Sequence, residues 1–131
     1  MISKIEHKGK LLAIIVRNNF KVDGLSFITD NDAILQMGLM KHPTGHKIIP
    51  HLHKPCFRTS SSTQEVIYLK SGKVKVDIYN SDKELITVCE LAQGDWIILC
   101  DGGHGFEIIE EAVLVEVKNG PYAGDDDKEK F

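Results

Sequence analysis

The chain has 131 residues, enough for one compact core, and its 42% hydrophobic and 27% charged content is that of an ordinary globular protein. Sixteen basic residues against nineteen acidic ones give a net charge of −3, and no basic stripe carries interleaved aromatics, which argues against a nucleic-acid partner.

Met1 to Lys8 spreads its charges and lacks the apolar core of about 7–15 residues that a signal peptide needs. The apolar run over 11–16 is too short to span a bilayer, so neither a membrane nor secretion is expected. Cys56, Cys89 and Cys100 are an odd number without CxxC spacing, as suits a reduced compartment. The expected location is the cytoplasm.

Short apolar or alternating segments then follow one another, separated by turn residues. The first is 11–17, ended by Asn18-Asn19; the second is 25–29, ended by Asp30-Asn31-Asp32. The third, 33–41, stops at Pro43 and Gly45, and the fourth covers 48–53. After a polar stretch over 54–64 come 65–70, a turn at Ser71-Gly72, and 73–79. In this last segment Val74, Val76 and Ile78 alternate with Lys75 and Asp77, the period-two pattern of a half-buried strand. Asn80-Ser81-Asp82 turns the chain into 85–91, and 95–99, 106–109 and 112–118 complete the series. No window has a convincing helical period. About ten short strands spaced by turns imply an all-β sandwich or barrel. The domain would occupy 1–119, with 120–131 a charged tail, although Tyr122 and Phe131 leave open a tail that clasps the barrel or a neighbouring subunit.

His51 and His53 stand at i and i+2, which on a strand aims both imidazoles at one face. Two histidines directed into a barrel interior need partners, and a metal ion satisfies both. Their surroundings read Gly45-HKIIP-His51-Leu52-His53, then Glu65-VIYLKS-Gly72, then Gly94-DWIIL-Cys100-Asp101-Gly102-Gly103-His104. From Gly45 to His104 this resembles the two motifs of the cupin superfamily, G-x5-H-x-H with E-x6-G, and G-x5-P-x-G-x2-H.

The resemblance implies a small single-domain cupin, a double-stranded β-helix or jelly-roll barrel of antiparallel strands. It also implies one divalent transition metal, Zn, Fe, Ni or Mn, on His51, His53, Glu65 and His104. Three departures stand out. The spacer from His53 to Glu65 has eleven residues where the pattern has three or four, Cys100 replaces the proline, and one residue instead of two separates Gly102 from His104. The long spacer leaves Gln64 as a rival to Glu65, though the E-x6-G spacing favours Glu65. More narrowly, the ending Gly102-Gly103-His104-Gly105-Phe106-Glu107, followed by Glu116-Val117-Lys118 and Gly120-Pro121-Tyr122, is similar to a group of small stand-alone cupins placed with cell-surface polysaccharide and nucleotide-sugar pathways.

Imidazoles and one carboxylate do not name the ion, and four protein ligands on a six-coordinate metal leave sites for water or substrate. That suits an isomerase or epimerase acting on a small oxygenated metabolite such as a sugar. Alternatives are an iron-dependent dioxygenase, a non-catalytic ligand-binding or sensing module, and a metal-free cupin with His53 or His104 as base. Arg58, in the polar loop over 54–64, is a candidate substrate contact through a bidentate guanidinium; the loop itself reads as a lip over the metal. Tyr68, Gln36 and Met40 would line the pocket if strand alternation turned them inward. His7, His42 and His46 read as solvent-exposed, Cys100 as a structural thiol, and Trp96 as core. The apolar strands over 11–17 and 25–29 are expected to supply a homodimer surface.

Overall fold

The computed structural model describes Met1 to Phe131 and is all-β apart from one short 3-10 turn. Its strands are β1 (Ile2–His7), β2 (Lys10–Val16), β3 (Gly24–Phe27), β4 (Gly38–Lys41), β5 (Glu65–Tyr79), β6 (Leu85–Ala92), β7 (Trp96–Leu99) and β8 (Gly103–Lys118). The chain forms two compact units: Met1–Phe20 with Thr63–Phe131, and Lys21–Ser62.

The first unit is a curled antiparallel half-barrel sheet in the order β1-β2-β7-β5-β6, with β8 also on β5. β5 organises it. Glu65 to Tyr68 pair with β7, Lys73 to Tyr79 pair with β6, and β8 runs along almost all of the opposite edge. The turn expected at Ser71-Gly72 is therefore no hairpin: 65–70 and 73–79 are one strand, and 106–109 and 112–118 are likewise one strand. The turn signal is absorbed as a bulge, with register shifts from Leu69 to Val74. Gly72 makes this possible, because its φ is +86° and a Cβ there would run into the backbone of Glu111. The bend lets one strand serve β7 with its first half and β6 with its second.

The concave face carries the core: Leu12, Ala13, Ile15, Ile67, Leu69, Val74, Val76, Ile78, Leu91, Ile97 and Leu99. Several of these, such as Leu69 and Ile97, are wholly buried, and each contributes on the order of 1.5–3 kcal/mol. The alternation of 73–79 appears as read: Val74, Val76 and Ile78 point inward while Lys73 pairs with Glu90 of β6 and Lys75 with Glu107 of β8. Asn80 forms the expected turn after β5, its Oδ1 accepting hydrogen bonds from the Asp82 and Glu84 amides at 3.0 Å each.

One corner joins three strands. Arg17, just past β2, donates through Nη1 to Asp95 Oδ2 and to the Glu90 carbonyl, both at 2.7 Å. Asp95 also accepts from the Asn18 amide at 2.9 Å and the Ala92 amide at 3.0 Å. Burial alone would push the Asp95 carboxyl up, but the bonds from Ala92, Arg17 and Asn18 and the guanidinium charge hold it below its usual value.

Several expectations are corrected here. His7, read as solvent-exposed, ends an edge strand, Ile2 to His7, paired to β2, and buries its Nε2 without a hydrogen-bond partner. The strand over 11–17 cannot supply a dimer surface, because Leu12 to Val16 are all buried. In the second unit β3 pairs with β4, but 33–41 is strand only from Gly38. No strand forms over 48–53. Pro50 sits in the middle of that segment, where it removes a ladder donor and restricts Ile49, and that outweighs the apolar character of Ile48 and Ile49. The chain has eight strands where about ten were expected.

Candidate functional site

Glu65 and His104 meet. Glu65 opens β5 on the same face as Ile67 and Leu69, since alternate strand residues share a face. His104 opens β8 opposite Ile78, a core residue, and so lies on that face too. The curl brings the two ends of the face together, and His104 Nε2 is 3.1 Å from Glu65 Oε2. Glu65 is 6% exposed, a buried carboxylate whose partner is this imidazole.

Local sequence sets both positions. Gly102 has a φ of +74°, and a Cβ on it would collide with the Tyr79 carbonyl; the turn before β8 needs this glycine to place His104 against the end of β5. Gln64 donates through Nε2 to the Cys100 carbonyl at 3.2 Å, while its amide is held by Asn119 Oδ1 at 2.8 Å. Of the two rival ligands, Glu65 is therefore the one that faces His104.

His104 packs edge-on against Phe106, ring centroids 5.7 Å apart. Phe106 and Ile108 stand opposite Val76 and Val74 on the core face, yet are 36% and 52% exposed. The concave face is open along β8, leaving an apolar rim beside the Glu65–His104 pair. The alternation of Phe106 and Ile108 around Glu107 was legible in the sequence, but its exposure was not.

The C-terminal tail is anchored on either side of this pair. Asp127, in the 3-10 turn Gly124–Asp127, accepts from Thr63 Oγ1 at 2.6 Å and lies 3.5 Å from Lys118 Nζ, and Lys118 is the register partner of Glu65. The Thr63 hydrogen bond and the Lys118 charge hold the Asp127 carboxyl below its usual value. Phe131 sits edge-on to Tyr79 at 5.1 Å and against Gly103, next to His104. The clasp is made by Phe131; Tyr122 stays 83% exposed.

His51 and His53 lie in the other unit, on an irregular exposed segment, ring centroids 5.4 Å apart at a T-shaped angle, with His51 Nδ1 2.9 Å from the Ile49 carbonyl. No group of three or more His, Cys, Asp or Glu side chains is gathered into a metal-holding cluster. Arg58 is exposed in the same irregular stretch. Tyr68 is on the sheet face opposite Glu65, stacked on Trp96 at 4.4 Å. Gln36 closes its own loop onto the Asp30 and Ala33 carbonyls, and Met40 is exposed. His42 and His46 stack on each other at 4.1 Å. The three cysteines are free. No helix is long and apolar enough to cross a membrane.

No protein-family model, curated protein or solved structure matches the chain.

Proposed function

We propose that the chain is a metal-binding cupin in which Glu65 and His104 supply ligands to one divalent transition metal. The observation that carries this reading is the Glu65–His104 contact at 3.1 Å, a buried carboxylate and an imidazole converging on the concave face of a curled sheet. Carboxylate and imidazole are donors that first-row divalent ions accept. Support for a cupin barrel comes from the motif over 45–104, its H-x-H spacing included, and from the curl of the sheet.

The metal would polarise a carbonyl or hydroxyl of a small oxygenated metabolite, which suits an isomerase or epimerase acting on a sugar-like substrate. The protein's own contribution is to orient the donors. Glu65 Oε2, 3.1 Å from His104 Nε2, orients that ring, and Phe106 and Ile108 give the site an apolar side.

A second reading rests on the same contact. A buried carboxylate that orients an imidazole is by itself an acid–base pair, with His104 as the proton-transferring group and no metal. Elemental analysis separates the two. Under the metal reading purified protein holds up to one transition metal per chain, and the His51/His53/His104 triple alanine variant loses it. Full metal content in that variant would end the metal proposal. A metal-free wild type that binds sugar phosphates or nucleotide sugars in a thermal-shift screen, and loses that binding in His104→Ala, would support the acid–base pair.

A further inference from the structure

β8 is the longest strand, and only one of its edges is used. It pairs with β5 alone, and no backbone hydrogen bond outside the ladders reaches it. Its last seven residues, Ala112 to Lys118, alternate cleanly. Ala112 and Leu114 pack on the core, whereas Val113, Val115 and Val117 point to the convex face and are 49%, 46% and 55% exposed. Beside them stand the half-buried Val66 and the Tyr68–Trp96 stack. Glu107 and Glu110 charge the convex face of the first half of β8, but over 112–118 that face has neither proline nor charge, and such an apolar edge is a template for another strand. β1 differs: Lys4 and Glu6 and a bulge after Ile5 guard it.

We propose that β8 pairs with β8 of a second copy of this chain, antiparallel and about a two-fold axis at Val115. Self-complementarity fixes both the partner and the register. In this register Val115 faces its own copy and Val113 faces Val117, so the convex face is valine against valine throughout. On the other face Leu114 meets Glu116 and Ala112 meets Lys118. No like charges oppose each other, and Glu116 keeps its own Lys118 at 3.9 Å. Moving the axis to Glu116 opposes two carboxylates, and moving it to Leu114 sets Glu111 against Val117. The interface is isologous, as a closed dimer requires. It joins the two sheets into one.

The test is cysteine cross-linking of the full-length chain under mild oxidation, with unsubstituted protein as the baseline for Cys56, Cys89 and Cys100. Residues directly opposite in an antiparallel pair have Cα atoms about 4.5–5.5 Å apart, within disulfide reach. Val115→Cys alone should form a covalent dimer in high yield, and so should a mixture of Val113→Cys and Val117→Cys. Val113→Cys alone should stay at baseline, as should Val88→Cys on β6. Light scattering at tens of micromolar should give twice the 14.7 kDa chain mass, and Val115→Asp should weaken the dimer by roughly tenfold or more while leaving the fold intact. A monomeric wild type overturns the proposal. Val115→Cys at baseline also overturns it, even if Val113→Cys and Val115→Cys cross-link with each other.

Discussion

Asp95→Asn tests the corner that ties β2, β6 and β7 together. The substitution keeps size and shape but replaces the carboxylate oxygen that receives Arg17 and the Ala92 amide with an NH2 group, or loses the bond from Asn18 if the amide flips. Either way at least one buried donor loses its acceptor, at about 1–3 kcal/mol, and a charge-assisted bond worth about 1.5–3 kcal/mol is lost. Arg17 is 31% exposed and partly recovers through water, so the net loss should be about 2–4 kcal/mol. At about 4 °C per kcal/mol for a chain of this size, Tm should fall by roughly 8–16 °C. Acid gives a second readout. The folded-state pKa of Asp95 lies below the ordinary 3.8, so its contribution is complete above that value and is lost as pH falls through the folded pKa. The gap between wild type and variant in urea melts should be constant from pH 7 to about 4 and close below 3.8, while Asp127 and Glu129, present in both proteins, cancel. A gap under about 0.5 kcal/mol at pH 7, or one that persists unchanged into acid, would refute the reasoning.

Three further outcomes follow from the geometry. Gly72→Ala places a Cβ against the Glu111 backbone at a left-handed φ and should cost more than about 2 kcal/mol by denaturant melt; a near-neutral change would mean that the bulge is not needed. Phe131→Ala removes an edge-on contact to Tyr79 and one to the Lys83 ammonium at 5.6 Å, yet the ring is 63% exposed, so a loss of no more than about 1 kcal/mol is expected. On the metal reading Glu65→Gln should lower metal content by elemental analysis more than Gln64→Glu does, since Gln64 is turned to Cys100; the reverse order would reassign the ligand.

The sequence announced the all-β class and most strand positions because alternation is local, as in Val74-Lys75-Val76-Asp77-Ile78. It misled where partners decide. Ser71-Gly72 has the composition of a hairpin turn, but β8 lies along both flanks and holds them as one strand. Ile48 to His53 has the apolar content of a strand, but Pro50 breaks its ladder. The N-terminal Ile2 to His7 carries too many charges to look like a strand, yet an edge strand needs only one buried partner. Motif spacing named Glu65 and His104 only as ligands of a metal; their direct contact was not legible, since the curl that creates it comes from a bulge read as a turn. Tyr68 went to the opposite face because strand register was not legible. The anchors of the tail, Asp127 on Thr63 and Phe131 on Tyr79, had no sequence signal beyond a terminal aromatic.

The pairing of β2 with β7 matters while the chain is being made. Ala13 to Val16 form the most thoroughly buried strand, but their partners Trp96 to Leu99 are about 80 residues further on and emerge from the ribosome on the order of 4–16 s later. Throughout that interval β2 has only β1 beside it, and a run of Leu, Ala, Ile, Ile and Val stays wet. A pause in translation before β7 would lengthen that exposure.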